Sequence, residues 1–278
     1  MKVIHDEPLE RAGVRRAFVP TMGALHDGHR ALMREARNLV GPRGEVVVSI
    51  FVNPTQFAAG EDFDSYPRDL ARDVRVCDEE GVDVVYAPSA QGVYGSEQGS
   101  RITIDPGPLG QLWEGAHRPG HFAGVLTVVS ILLHQVDPNV AVFGEKDYQQ
   151  LELVRRMCRD LSYGVEIVGM PTVREVDGLA LSSRNVNLDP DQRRLASAVP
   201  RALEAAQQAA TGGVEAALAA VDTVLAEARL VADYRALCAS DLGPTPERGT
   251  ARLLVAVPVG RTRLIDNCTV DLGGDDVR

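Results

Sequence analysis

Val19-Pro-Thr-Met-Gly-Ala-Leu-His-Asp-Gly-His29 joins a short apolar run to an amphipathic stretch. That order predicts a strand ending near Pro20, a glycine-punctuated loop and a helix opening near Asp27. A helix start presents backbone N–H groups without intrahelical acceptors at its positive end, and His26 and His29 add two imidazoles there. The combination suits a polyphosphate. A helix N-terminus with two surface histidines would carry the same residues, so the remainder of the chain has to decide between the two.

Outward from this stretch, short β-branched runs alternate with helical patterns up to about Met170, as in a parallel α/β sheet with crossover helices. Ala17-Phe-Val19 opens the series. Val46-Val-Val-Ser-Ile-Phe-Val52 is an almost continuous apolar run, which predicts a central strand buried on both faces. Asp83-Val-Val-Tyr86, Asn139-Val-Ala-Val-Phe143 and Val165-Glu-Ile-Val168 are further candidate strands. Pro67 to Glu80 reads as a helix, with proline in the first turn and Gly81 after the last. Phe122, Val125, Leu126, Val129, Leu132, Leu133 and Val136 recur at helical spacing and predict a core helix. After about Thr172 the alternation stops. An alanine-rich helical region runs from about Pro190 to Leu230 with a break at Gly212-Gly213, followed by strand-like runs at Arg252 to Val257 and Arg263 to Asp266. The expectation is a parallel α/β domain over residues 1–172 and a smaller α+β domain over 173–278.

The chain has 278 residues, 45% of them hydrophobic and 24% charged, enough apolar material for one large domain or two unequal ones. A formal charge of -10 supplies no general basic face, so neither nucleic-acid nor membrane-surface binding is expected, and an anionic substrate needs a local cluster of cations. Cys77, Cys158, Cys238 and Cys268 are widely spaced with no C-x-x-C pair, which predicts reduced structural thiols. The N-terminal residues lack the apolar region of a signal peptide. The most apolar stretch, Gly124 to Leu133, is far shorter than the roughly 20 residues of a membrane span. A cytoplasmic protein is expected.

In an open parallel sheet, ligands gather beyond the carboxyl ends of the strands. The loops that follow the candidate strands are rich in polar groups: Thr21 to His29, Asn53-Pro-Thr-Gln-Phe57, Gly144-Glu-Lys-Asp-Tyr-Gln-Gln150, and Gly178-Leu-Ala-Leu-Ser-Ser-Arg-Asn185. Their histidines, Lys146, Arg184, serines and glutamines fit a nucleoside triphosphate and a small polar acid. Charge developing on a transferring nucleotidyl group is stabilised by cations and N–H donors, Lys146 as a point charge and Arg184 as a two-pronged grip. No G-x-S-x-G elbow, G-x-G-x-x-G fingerprint or Walker sequence occurs, and two histidines without H-E-x-x-H or cysteine support are a poor zinc site. Mg²⁺ carried mainly on ATP phosphates is compatible with the set. Trp113-Glu-Gly-Ala-His-Arg-Pro-Gly-His121, with Glu114, Arg118 and His121, is a further candidate or else a helix entry. Asp62, Asp64, Asp69 and Asp73 read as a solvated loop and helix start.

Six segments, in order, resemble the pantoate-β-alanine ligase family of the HxGH nucleotidyltransferase superfamily: Pro20 to His29, Ser49 to Phe57, Arg118 to Phe122, Phe143 to Gln150, Gly178 to Asn185 and Arg263 to Asn267. The resemblance covers nearly the whole chain. It implies a Rossmann-like ATP-binding domain, a smaller C-terminal domain closing over it, and a homodimer. It also implies a reaction in which ATP, pantoate and β-alanine give pantothenate, AMP and pyrophosphate through pantoyl adenylate. By similarity, Met22, Gly23, Ala24, Leu25, His26, Asp27, Gly28 and His29 hold ATP, together with Gly144, Glu145, Lys146, Asp147, Val173, Leu181, Ser182, Ser183 and Arg184. His29 is the family's proton donor, and His26, Lys146 and Arg184 share the phosphate charge. The resemblance also implies that Gln56 and Gln150 bind pantoate, Gln56 lying beside β-alanine as well. Thr55 stands where the family usually has methionine, and the segment ahead of Val19 is short. The competing readings are an adenylyltransferase acting on another small substrate and a noncatalytic adenine-nucleotide sensor.

Overall fold

The computed structural model describes residues 1–10, 13–58, 60–61, 63–95, 100 and 102–273. The chain divides into two units, Met1–Glu145 with Leu153–Pro171, and Lys146–Glu152 with Thr172–Arg278. In the first, strands β1 (Lys2–Ile4), β2 (Arg16–Thr21), β3 (Glu45–Ile50), β4 (Val84–Tyr86), β5 (Val140–Gly144) and β6 (Glu166–Met170) form one sheet in the order β1-β4-β3-β2-β5-β6. Every pairing is parallel. The helices of this unit are α1 (Asp27–Val40), α2 (Leu70–Glu79), α3 (Ala90–Tyr94), α4 (Glu114–His117) and α5 (His121–Val136), and α6 (Tyr148–Asp160) is divided between the units after Glu152. β3 is sealed on both faces, with Val46, Val47 and Val48 at most 1% exposed, because helices of a parallel sheet cover both sides.

Strand order places the site. From β2 the sheet grows one way through β3 and β4 and the other way through β5 and β6. The winding therefore reverses at β2, and the crevice at such a reversal opens beyond the carboxyl ends of the strands. Thr21 ends β2, and Ile50, which ends the neighbouring β3, is its register partner. The loops that follow the two strands consequently start side by side.

The predicted strands and the core helix lie within a few residues of the observed ones. The helix expected from Pro67 begins instead at Leu70, because the Asp69 side chain accepts the Arg72 N–H at 2.9 Å and sets the start. Asp73 is not part of a solvated run: it is 1% exposed, whereas Asp64 and Asp69 are exposed. Asp62 lies outside the described residues. Edge strand β1, pairing with β4, has no counterpart among the predicted elements.

The second unit has helices α7 (Pro190–Ala196), α8 (Ala198–Ala209) and α9 (Val214–Glu227), and an antiparallel sheet of β7 (Tyr234–Cys238), β8 (Gly249–Val259) and β9 (Thr262–Leu272) in that order. The alanine-rich pattern is a packing surface. Ala202, Ala206, Ala217 and Val221 form one fully buried cluster with Leu253, Val255 and Val257 of β8. The helical run breaks near Gly213 as expected, and also at Ser197. No helix among the described residues is long and apolar enough to cross a membrane.

Burial pushes the thiols of Cys77, Cys238 and Cys268 up to about 12 and that of Cys158 to about 11. All four are free. Thiols so held are poor nucleophiles, in keeping with a structural role.

Carboxylates held below their ordinary values make the folded state acid-sensitive, Glu80 and Glu175 among them. Hydrogen bonds from Arg34, and then Arg30, hold Glu80 below the ordinary glutamate value despite its burial. Arg193 does the same for Glu175. In both cases the unfolded chain binds the proton more tightly, so the stabilisation is present above the ordinary glutamate value and is lost as pH falls through the depressed one. The melting temperature is expected to drop below about pH 4.3, with a shallower drop in Glu80→Gln. Identical acid profiles for the two proteins would remove Glu80 from the explanation.

Candidate active site

The loop after β2 is built around Asp73. Its Oδ2 accepts the Ala24 N–H and its Oδ1 the Leu25 N–H, each at 2.9 Å. Gly23 and Ala24 both have positive φ, +80° and +49°, which turns successive N–H groups toward the carboxylate. At Gly23 a Cβ would stand 2.8 Å from Asp73 Oδ2, so the tight turn and the close approach both require glycine. Thr21 Oγ1 donates to the Ser49 carbonyl at 2.6 Å and accepts the Gly23 N–H at 3.2 Å, tying the loop to β3.

His26 and His29 close the start of α1 as a capping box. His26 is the N-cap, and its Nδ1 accepts the Gly28 N–H at 3.1 Å. His29, at the third helical position, accepts the His26 N–H on its own Nδ1 at 3.2 Å. Backbone N–H groups can only donate, so each neutral ring carries its proton on Nε2. The rings lie 4.0 Å apart between centroids. The helix cap thus sets the tautomer of two N–H donors at the positive end of α1.

Gln56 follows β3 in a short 3-10 turn, Pro54–Gln56, and is 9% exposed. Asn53, 1% exposed, donates from Nδ2 to Gln56 Oε1 at 3.0 Å. Gln56 Nε2 faces the thioether of Met22 at 3.2 Å, which joins the loops after β2 and β3. The segment singled out from Trp113 to His121 meets the same residue. His121 Nδ1 donates to the Gln56 carbonyl at 2.9 Å, while its Nε2 accepts from Arg118 at 3.2 Å. Arg118 also forms a two-pronged pair with Glu61, at 2.9 and 2.7 Å, and holds that carboxyl below its usual range.

In the second unit, Lys146 lies on the 3-10 turn Glu145–Asp147, its Nζ 3.7 Å from Asp147 Oδ2. Its carbonyl accepts Asn267 Nδ2 at 2.9 Å. Asn267 Oδ1 in turn receives Arg252, whose guanidinium stacks 3.9 Å above the Tyr148 ring. Next to it, Asp266 takes both prongs of Arg174, at 2.6 and 3.0 Å. Val173 and Leu181, distant in the sequence pattern, are brought together: the Leu181 N–H donates to the Val173 carbonyl at 2.9 Å beside the Arg174–Ala180 bridge. Ser182 caps the turn Ser183–Asn187 by accepting the Arg184 N–H. Gln150 is half-buried on the first turn of α6. Asp73, Asn53, Arg174 and Asp266 were given no role by the sequence reading. For Asn53 a signal existed, since asparagine before proline favours a turn closed by its own side chain.

A parallel sheet with a histidine-capped helix at its winding reversal defines a Rossmann-like α/β protein. The chain matches the Pantoate-beta-alanine ligase family over residues 2–269. It is 54% identical to a pantothenate synthetase of Saccharopolyspora erythraea, covering 97% of this chain and 91% of that protein. To the pantothenate synthetase of Mycolicibacterium smegmatis it is likewise 54% identical, over 95% of this chain and 83% of the other. Among solved structures, the Thermus thermophilus pantothenate synthetase superposes with a TM-score of 0.88 at 48% identity, covering 96% and 99% of the two chains. A Francisella tularensis pantoate-beta-alanine ligase complexed with beta-gamma ATP and beta-alanine superposes with a TM-score of 0.76 at 34% identity, over 93% and 91%. The chain belongs to the pantoate-β-alanine ligase family. It is an enzyme, a ligase of pantothenate synthesis.

Proposed function

We propose that the residues carried over from the family pattern perform that ligation in two steps. The carboxylate of (R)-pantoate attacks the α-phosphorus of ATP, forming pantoyl adenylate and releasing pyrophosphate. The amine of β-alanine then attacks the acyl carbon and expels AMP. The observation that supports this most strongly is the pair of capped histidines, each with Nε2–H, at the N-terminus of α1. Such donors stabilise negative charge as pyrophosphate leaves; His29 is assigned the proton donation, for which the ring must first take up a second proton on Nδ1 and release the His26 N–H. Met22 to His29, Gly144 to Asp147, Val173 and Leu181 to Arg184 are assigned to ATP, with Lys146 and Arg184 as cations. Gln56 and Gln150 are assigned to pantoate and Gln56 also to β-alanine, since amides both donate to and accept from a hydroxy acid.

The Francisella ligase, with its nucleotide and β-alanine, supports ATP and β-alanine as co-substrates here. Imidazoles, an ammonium and a guanidinium, with Asp27, Glu145 and Asp147 as the carboxylates of the set, suit a Mg²⁺ that keeps its waters and leans on phosphate oxygens. That ion would lower the charge of the triphosphate. We further assign functional domains 1–172 and 173–278, a homodimer and a cytoplasmic location. An AMP-release assay with each substrate omitted in turn tests the reading. AMP is expected only with pantoate, β-alanine, ATP and Mg²⁺ all present. ATP binding without pantoate-dependent turnover would favour a nucleotide sensor.

A further inference from the structure

Asn53 Oδ1 is the meeting point of three donors. The Thr55 N–H reaches it at 3.2 Å, the Thr55 hydroxyl at 2.9 Å and the Tyr94 hydroxyl at 2.5 Å. The opposite edge of the same amide, Nδ2, faces the Gly124 carbonyl at 3.3 Å and Gln56 Oε1 at 3.0 Å. A backbone N–H can only donate and a carbonyl can only accept, so the Asn53 amide has one possible sense. Since Nδ2 then points at Gln56, the Gln56 atom that meets it must be the acceptor Oε1. Its Nε2 is left on the other side, against the weakly accepting Met22 thioether. Room for adjustment is small. A Cβ on Gly124 would come within 2.3 Å of the Thr55 carbonyl, so α5 packs directly on this turn.

We infer that Thr55 and Tyr94 are positioning residues that act through Asn53 to lock Gln56 with its N–H edge toward the substrate, so that this part of the site selects an oxygen acceptor, as a hydroxy acid anion provides. The inference rests on the assignment of Gln56 to pantoate. The backbone contacts to Asn53 fix the sense of the amide but are long, and the two hydroxyls hold it in place. They lie 3.2 Å from one another, on the same oxygen. Burial pushes the Tyr94 phenol above its ordinary value, so it stays a donor at any working pH. Both hydroxyls reach Asn53 Oδ1. In this chain the lock is therefore redundant, and either hydroxyl can be removed while the other keeps Asn53 in place.

Steady-state kinetics of the full chain, varying pantoate and ATP separately, test this with Thr55→Val, Tyr94→Phe, the double variant and Thr55→Ser/Tyr94→Phe. Each single variant is expected to raise the pantoate KM by no more than about threefold and the double variant by about tenfold or more, a non-additive pattern. The ATP KM and kcat should stay within about threefold throughout, because the change acts on orientation at one substrate. Restoring a hydroxyl as Thr55→Ser in the Tyr94→Phe background should return the pantoate KM to that of Tyr94→Phe alone. Additive small effects in the double variant, or equal rises in both KM values, would overturn the lock while leaving the ligase reading intact. Wild-type protein without pantoate-dependent turnover would overturn both.

Discussion

His29→Gln is expected to keep α1 folded and to slow pyrophosphate release in a single turnover by about 10²-fold or more. The two functions of His29 separate in this variant. Its Nδ1 accepts the His26 N–H at the third position of a capping box, and glutamine is a natural occupant of that position. Glutamine can therefore keep the cap and still offer an N–H, but it cannot give up a proton. His29→Ala removes both. It should lose the rate to a similar or greater extent and also about 1 kcal/mol of helix capping, a fall of about 2–4 °C in melting temperature for a chain of this size. Single-turnover rates near wild type in His29→Gln would rule out proton donation by this residue and leave it a structural cap.

Asp73→Ala is expected to lower the rate of adenylate formation by about 10²-fold, a loss typical of misplaced catalytic groups, with little change in the pantoate KM. Asp73 touches no reacting atom in the proposed mechanism. It holds the N–H groups of Ala24 and Leu25, and these two residues carry the chain from β2 into the cap at His26. Without the carboxylate, two N–H groups lose their acceptor at a cost of about 1–3 kcal/mol each, and the positive φ values at Gly23 and Ala24 have nothing to enforce them. Asp73→Asn keeps one acceptor oxygen and should fall between alanine and wild type. An adenylation rate in Asp73→Ala within about threefold of wild type would show that the turn holds itself.

The sheet was legible where residue type alone settles the answer. Val46 to Val48 have apolar side chains facing both ways, and only a strand covered on both sides uses such a run. β7 was not legible: Tyr234-Arg-Ala-Leu-Cys238 has no β-branched residue, and pairing with β8 is what makes it a strand. Of the proposed site, the histidines, Lys146 and the serine-arginine turn drew attention in the sequence because their chemistry is local to a motif. Asp73 did not. An aspartate in an acidic stretch looks solvated, and its burial depends on a loop 48 residues earlier in the chain folding onto it. The Pro67 helix start failed for a related reason, since proline permits a first turn but Asp69 supplies the hydrogen bond that begins one.

The contact between Gln56 Nε2 and the Met22 sulfur has a thermodynamic side. An amide donor proposed to bind substrate is best matched with a weak partner, since a strong one would have to be broken every time substrate arrives. A thioether is a placeholder. It shields the N–H from emptiness yet accepts so weakly that an incoming carboxylate or hydroxyl oxygen gains nearly the whole hydrogen bond on exchange. On the proposed assignment of Gln56 to the acid substrate, Met22 is a partner for Nε2 that does not compete with that acid.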